Sequence, residues 1–71
     1  MSFNTFRTIP NYEKYEINIK GDVRNKNTKN NLQHFKIGKI REYVILKNNN
    51  NEIKRCYIKK LLLEIFPEDN E

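Results

Sequence analysis

The apolar positions of the chain keep two different periods. Tyr15-Glu16-Ile17-Asn18-Ile19 alternates apolar and polar residues, the two-residue period of a half-buried strand. Tyr43-Val44-Ile45-Leu46 and Ile53-Lys54-Arg55-Cys56-Tyr57 are also strand-like. The Asn48-Asn49-Asn50-Asn51 run between them reads as a hairpin turn, because asparagine tolerates the left-handed backbone of tight turns. Lys20-Gly21 supplies an earlier turn. A short strand around Asp22-Val23-Arg24-Asn25 is expected to pair across the polar stretch 26–31 with Leu32-Gln33-His34-Phe35, and Gly38 breaks that segment before the next strand. After Tyr57 the period changes. Ile58, Leu61, Leu62, Ile65 and Phe66 fall at i, i+3, i+4, i+7 and i+8, the apolar stripe of a helix with Lys59, Lys60 and Glu64 on its other faces, and Pro67 ends it. A helix of about nine residues is not stable alone in water, so it must lie on the sheet. The sheet face that receives it is expected to draw on Ile17, Ile19, Val23, Val44, Leu46 and Ile53. The expected fold is therefore α+β: a small antiparallel sheet of three to four strands packed against one short C-terminal helix. Residues 1–67 are expected to form a single binding domain and 68–71 an acidic, frayed tail; no internal repeat and no flexible linker is apparent.

Length limits what such a fold can hold. A chain of 71 residues makes one domain that buries about 60% of its unfolded surface, which excludes the large enzyme folds. The single Cys56 forms no internal disulfide, and no Cys/His cluster supplies four zinc ligands, so stability rests on packing, with or without a partner. Met1-Ser2-Phe3-Asn4 carries no apolar signal region, and the longest apolar runs, 43–46 and 61–63, are too short for a bilayer. The expected location is intracellular, without a membrane: host cytoplasm or nucleus, or a virion, if the source is viral. Twelve Asn, ten Lys and nine Ile with no Ala point to AT-rich coding, common in viruses and phages.

The distribution of charge changes the picture more than its total. The formal +5 divides into +9 over residues 1–63, which hold all 14 basic groups, and −4 over the last eight. A body of that sign attracts polyanions: nucleic acid, an acidic protein surface or a lipid headgroup layer. Arg24, Lys26, Lys29, Lys36, Lys39, Arg41, Lys47, Lys54 and Arg55 lie on predicted strands and turns, interleaved with Asn, Gln33, His34, Phe35 and Tyr43. If the helix covers one sheet face, the other faces solvent and collects such side chains by alternation. A small sheet of this kind can enter a major groove, with Arg and Lys on phosphate or guanine and Asn or Gln on adenine; a single strand would instead use Tyr and Phe as stacking platforms. The alternative is an ordinary solvated lysine surface. Catalysis has little to work with. His34 is the sole imidazole and has no Ser or Asp close to it in sequence. Cys56 is either an activated thiol between Arg55 and Tyr57 or a small buried residue. No phosphate loop, carboxylate dyad or metal spacing occurs, and no cofactor is expected.

One long stretch has a familiar order. Phe6-Arg7-Thr8-Ile9-Pro10-Asn11-Tyr12-Glu13-Lys14-Tyr15-Glu16-Ile17-Asn18, followed by Gly21-Asp22-Val23-Arg24, resembles the opening of the fourth class of nuclease-associated modular domain. That domain precedes the HNH nuclease in homing endonucleases of phages and large DNA viruses. The likeness continues through Tyr43-Val44-Ile45-Leu46, the polar turn and the run from Tyr57 to Pro67, and so covers about 60 residues. The resemblance implies attachment to DNA, with duplex DNA preferred and Arg24, Lys26, Arg41 and Arg55 the preferred contacts; the basic interleaving adds Lys29, Lys36, Lys39 and Lys54 as candidates. The chain departs from the pattern at Phe6 (Trp is usual), Asn11 (Gly), Ile19 (Asn) and Asp22 (Arg). Lys59 stands where the nuclease has its first His, and the sequence stops at Glu71, before the Asn and His that complete the HNH metal site. A lysine is protonated near neutral pH and does not ligate a divalent ion. The expectation is a non-catalytic nucleic-acid-binding module without its nuclease. The competing expectation is a protein-interaction module or inhibitor that docks onto a larger, possibly viral, assembly.

Overall fold

A computed structural model of the chain describes residues 5–69. Six strands form two three-stranded antiparallel sheets. The first holds β1 (Phe6–Ile9), β2 (Tyr12–Asn18) and β3 (Val23–Asn25) in that order; the second holds β4 (Phe35–Ile37), β5 (Arg41–Lys47) and β6 (Ile53–Tyr57). Helix α1 (Ile58–Ile65) follows β6 directly, and a 3-10 turn, Pro67–Asp69, follows the helix. The α+β class with one short C-terminal helix stands, but the strands number six in two sheets where three to four in one sheet were expected.

Two local causes account for the difference. Phe6–Ile9 is a strand because the Pro10-Asn11 turn folds it onto β2: proline pre-sets its own φ, and Asn11 takes φ +67. The segment after β3 does not continue as its partner. Leu32 N–H donates to the Val23 carbonyl at 2.9 Å and Arg24 makes a single bridge to Asn31, and then Phe35–Ile37 leaves to pair with β5. Phe35 lies opposite Tyr43 in that pairing, with the two rings stacked at 5.5 Å.

The two sheets turn one face each toward a common core with α1. Ile9, Ile17 and Val23 come from the first sheet, Val44, Leu46 and Cys56 from the second, and Ile58, Leu61, Ile65 and Phe66 from the helix and its end. Ile19 packs at the margin of this cluster, whereas Ile53, expected inside, is 68% exposed. The register explains Ile53: it pairs with Lys47, and on β5 the buried positions are Val44 and Leu46, so odd-numbered partners point outward. Helix α1 ends where expected, with the Phe66 N–H on the Leu62 carbonyl at 2.9 Å and Pro67 next. Arg7 adds a stop that the apolar pattern does not reveal. Its Nη1 donates to the Ile65 carbonyl at 2.6 Å, its guanidinium lies 4.3 Å from the Phe66 ring centre, and its Nη2 meets Glu68 at 2.7 Å. Of the acidic tail, Glu68 is thus held by Arg7, while Asn70 and Glu71 lie outside the described residues.

A repeat that is hard to see in sequence becomes plain in the turns. Asn18 Oδ1 accepts from the N–H groups of Lys20 (3.1 Å) and Asp22 (2.9 Å), Gly21 N–H donates to the Asn18 carbonyl, and Gly21 has φ +89. Asn48 Oδ1 accepts from Asn50 and Glu52 N–H (2.9 Å each), Asn51 N–H donates to the Asn48 carbonyl, and Asn51 has φ +65. Asn18-Ile19-Lys20-Gly21-Asp22-Val23-Arg24 and Asn48-Asn49-Asn50-Asn51-Glu52-Ile53-Lys54 are the same asparagine-headed loop joining the second and third strand of each sheet. The two sheets thus carry a repeated turn, although no internal repeat is apparent in the letters of the sequence. The second of these turns also joins the two halves by meeting the β1–β2 turn: Asn49 N–H donates to the Asn11 carbonyl at 2.9 Å, and Asn49 Oδ1 accepts from the Glu13 N–H at 3.2 Å.

Candidate nucleic-acid interface

Each sheet keeps one face for the core, so the candidate cations are sorted by the parity of their strand positions. On the outer face of the first sheet, Thr8, Glu16 and Arg24 lie side by side across β1, β2 and β3, with Phe6 next to them. Glu16 is buried there. Its Oε2 accepts from Arg24 Nε, Lys29 Nζ stands 3.5 Å away, and the Arg24 guanidinium lies 3.6 Å from the centre of the Phe6 ring. Lys26 Nζ donates to Thr8 Oγ1 at 2.8 Å. Burial pushes the Glu16 carboxyl up, but the hydrogen bond from Arg24 and the charge of Lys29 outweigh it and hold the group below its ordinary value. Arg24, Lys26 and Lys29 therefore have partners within the fold.

The outer face of the second sheet is composed differently. Ile37 with Arg41, then Phe35 with Tyr43 and Tyr57, then Ile45 with Arg55, then Lys47 with Ile53 form successive cross-strand rows. Tyr43 and Tyr57 meet edge to face at 5.8 Å, and the Arg55 guanidinium lies 4.5 Å from the Tyr43 ring centre. Arg55 is held further in its charged form, first by a hydrogen bond with Tyr57 and then by Tyr43. No described acidic side chain forms an ion pair with Arg41, Lys47 or Arg55. Lys36 and Lys54 have the opposite parity, opposite Glu42 and Leu46, yet both are exposed because they sit near strand ends. Lys39 lies in the turn between β4 and β5. The expected single patch of eight residues is thus two clusters: Arg24, Lys26 and Lys29 around Glu16, and Arg41 and Arg55 with Lys39, Lys36 and Lys54 on and around the second sheet.

Sequence reasoning missed Lys59 and Lys60 as companions of this second cluster. They line an open groove of about 410 Å³ with Ile40, Arg41, Tyr57 and Leu63. The helical spacing puts both lysines off the apolar stripe, but the groove itself, where α1 follows β6 without a loop, is a tertiary feature that the spacing alone does not reveal. His34 precedes β4 and its Nδ1 contacts Glu42 Oε2. Cys56 is buried, and burial pushes its thiol up despite a hydrogen bond with Tyr12, which favours the reading of Cys56 as a small buried residue. That hydrogen bond, followed by burial, pushes the Tyr12 phenol up to about 12. A cleft of about 310 Å³ beside this pair has Arg55, Lys60 and Glu64 on its walls. Among the described residues no cluster of His, Cys, Asp and Glu is placed to hold a metal ion, and no helix is long and apolar enough to cross a membrane. In comparisons with known proteins, no family model, curated protein or solved structure matches this chain.

Proposed function

We propose that this protein is a small, non-catalytic nucleic-acid-binding module that holds duplex DNA against the outer face of its second sheet. The observation that carries this reading is the pair Arg41 and Arg55, pointing from adjacent strands of an uncovered face with no acidic partner among the described residues, beside Lys39, Lys47, Lys59 and Lys60. Cations on one uncovered face present positive charge to a phosphate backbone, and phosphate contacts supply most of the affinity of a sequence-tolerant binder. The resemblance to the modular domain of HNH homing endonucleases supports the same reading. Asn11, which departs from that pattern's Gly, takes φ +67, so the turn it belongs to is kept. Lys59 in place of the first His, on an exposed position of α1, leaves no ligand there for a nuclease metal.

Fluorescence anisotropy with a labelled duplex at several salt concentrations tests the proposal. The expected result is log affinity falling with log salt at a slope of about −0.9 per phosphate neutralised. No binding at low salt would overturn it. A second reading, docking onto a protein, is favoured by the outward Ile37, Ile45 and Ile53, which are poor phosphate partners. Under that reading the salt slope is near zero and a protein partner elutes with the chain.

A further inference from the structure

The most exposed apolar side chain of the described residues is neither on a strand nor on the helix. Ile40 is 89% exposed, in the three-residue turn Gly38-Lys39-Ile40 that joins β4 to β5. Gly38 takes φ +66 and has open space where a side chain would stand, so the turn is a narrow, uncovered tip. Ile40 is flanked by Lys39 and Arg41, and beside it runs the groove whose other walls include Lys59, Lys60 and Leu63. The acidic residue of that groove, Glu42, is engaged by His34. An isoleucine this exposed costs solubility and contributes nothing to the core, whereas an apolar tip between cations has a known use on nucleic acid: it slips between base pairs while its neighbours hold the flanking phosphates.

We infer that the β4–β5 turn is a wedge, with Ile40 entering a base step of duplex DNA, Lys39 and Arg41 on the phosphates either side, and Lys59 and Lys60 along one strand in the groove. The inference rests on the proposed function and deepens it: it names the residue that deforms the DNA and the kind of site preferred, a flexible pyrimidine–purine step whose unstacking costs least. Affinity from phosphates belongs to the arginines and lysines; the kink belongs to Ile40.

The test uses the whole protein with a duplex carrying 2-aminopurine next to a central TA step and a donor–acceptor dye pair at its ends. Binding of the unsubstituted protein is expected to raise 2-aminopurine fluorescence and shorten the end-to-end distance. Ile40→Ala is expected to return both signals to those of free duplex, to lower affinity by roughly tenfold or less, and to leave the salt slope unchanged, since no charge is lost. Melting of Ile40→Ala should match the parent because the side chain touches no core. Duplex binding without either signal, equal signals from Ile40→Ala, or a preference for single-stranded over duplex DNA would overturn the wedge while leaving nucleic-acid binding in place. No binding to any DNA at low salt would overturn both.

Discussion

The two sheets share a topology and a turn, yet their outer faces have opposite chemistry. In the first sheet a buried carboxylate, Glu16, collects Arg24 and Lys29, and Phe6 covers the guanidinium; the positive charge is spent inside the fold. In the second sheet the position that matches Glu16 across the two asparagine turns is Leu46, which faces the core, and no carboxylate stands on the outer face. Residues 35–60 hold eight basic side chains against two acidic ones, whereas residues 5–34 hold six against three and gather two of those six on Glu16, so the second half carries the stronger outward field. A basic residue on a strand is thus not free by its type alone: a single acid directly across on the neighbouring strand decides whether its charge is engaged within the fold.

The strongest way to break this comparison is to remove what the sheets have in common. Phe66 is fully buried among core residues of both sheets and α1, and Phe66→Ala is expected to cost about 3–5 kcal/mol, most of the stability of so small a domain. If the sheets are one cooperative unit, circular dichroism and tyrosine fluorescence will melt together at a lower temperature; two separated transitions would show that each sheet folds by itself. Glu16→Gln acts on the first sheet alone and is expected to cost about 1–3 kcal/mol, because a neutral amide leaves Arg24 and Lys29 without their counter-charge. The carboxyl has its folded value below the unfolded one, so its stabilisation is present above the ordinary carboxylate range and is lost as pH falls through the lowered folded value. Denaturant unfolding against pH should therefore show a flatter acid limb in Glu16→Gln. The same variant is expected to leave duplex affinity nearly unchanged, since Arg24 and Lys29 belong to the first sheet; a marked gain would mean that the first sheet also meets the DNA. On the second sheet, Arg41→Ala and Arg55→Ala should each reduce the salt slope by about one, whereas Lys26→Ala should leave it unchanged.

The hydrophobic pattern made the helix legible to its last turn, because the spacing of Ile58, Leu61, Leu62 and Ile65 and the Pro67 stop are local signals. The hairpin of β5 and β6 was equally legible, since its turn chemistry lies next to its alternation. Strand β1 was missed because four residues ending at Pro10 carry too little period to stand out, and the partner that makes them a strand begins two residues later. Its apolar side chain puts Ile53 inside by pattern alone, yet its face is set by pairing with Lys47, and register is a property of two segments. The basic site was legible as composition and not as geometry. Nothing in the letters near Arg24 distinguishes it from Arg55; the distinction is that Glu16 is directly across from one, and Ile45 from the other.

The smallest effect probes the repeat itself. Gly21 and Asn51 are equivalent positions of the two turns, both with positive φ. Asn51 faces solvent, so Asn51→Gly exchanges one left-handed residue for another and should move stability by less than about 0.5 kcal/mol. The reverse exchange is not its mirror image. A Cβ on Gly21 would stand 2.9 Å from Ile58 Cγ2, where the first sheet's turn leans on the first residue of α1, so Gly21→Asn should cost about 1–3 kcal/mol through overpacking. Thermal melts of the two variants measured side by side should therefore separate clearly. Equal shifts would mean that the turn of the first sheet is as free of the helix as that of the second, and the asymmetry between the halves would reduce to their charge.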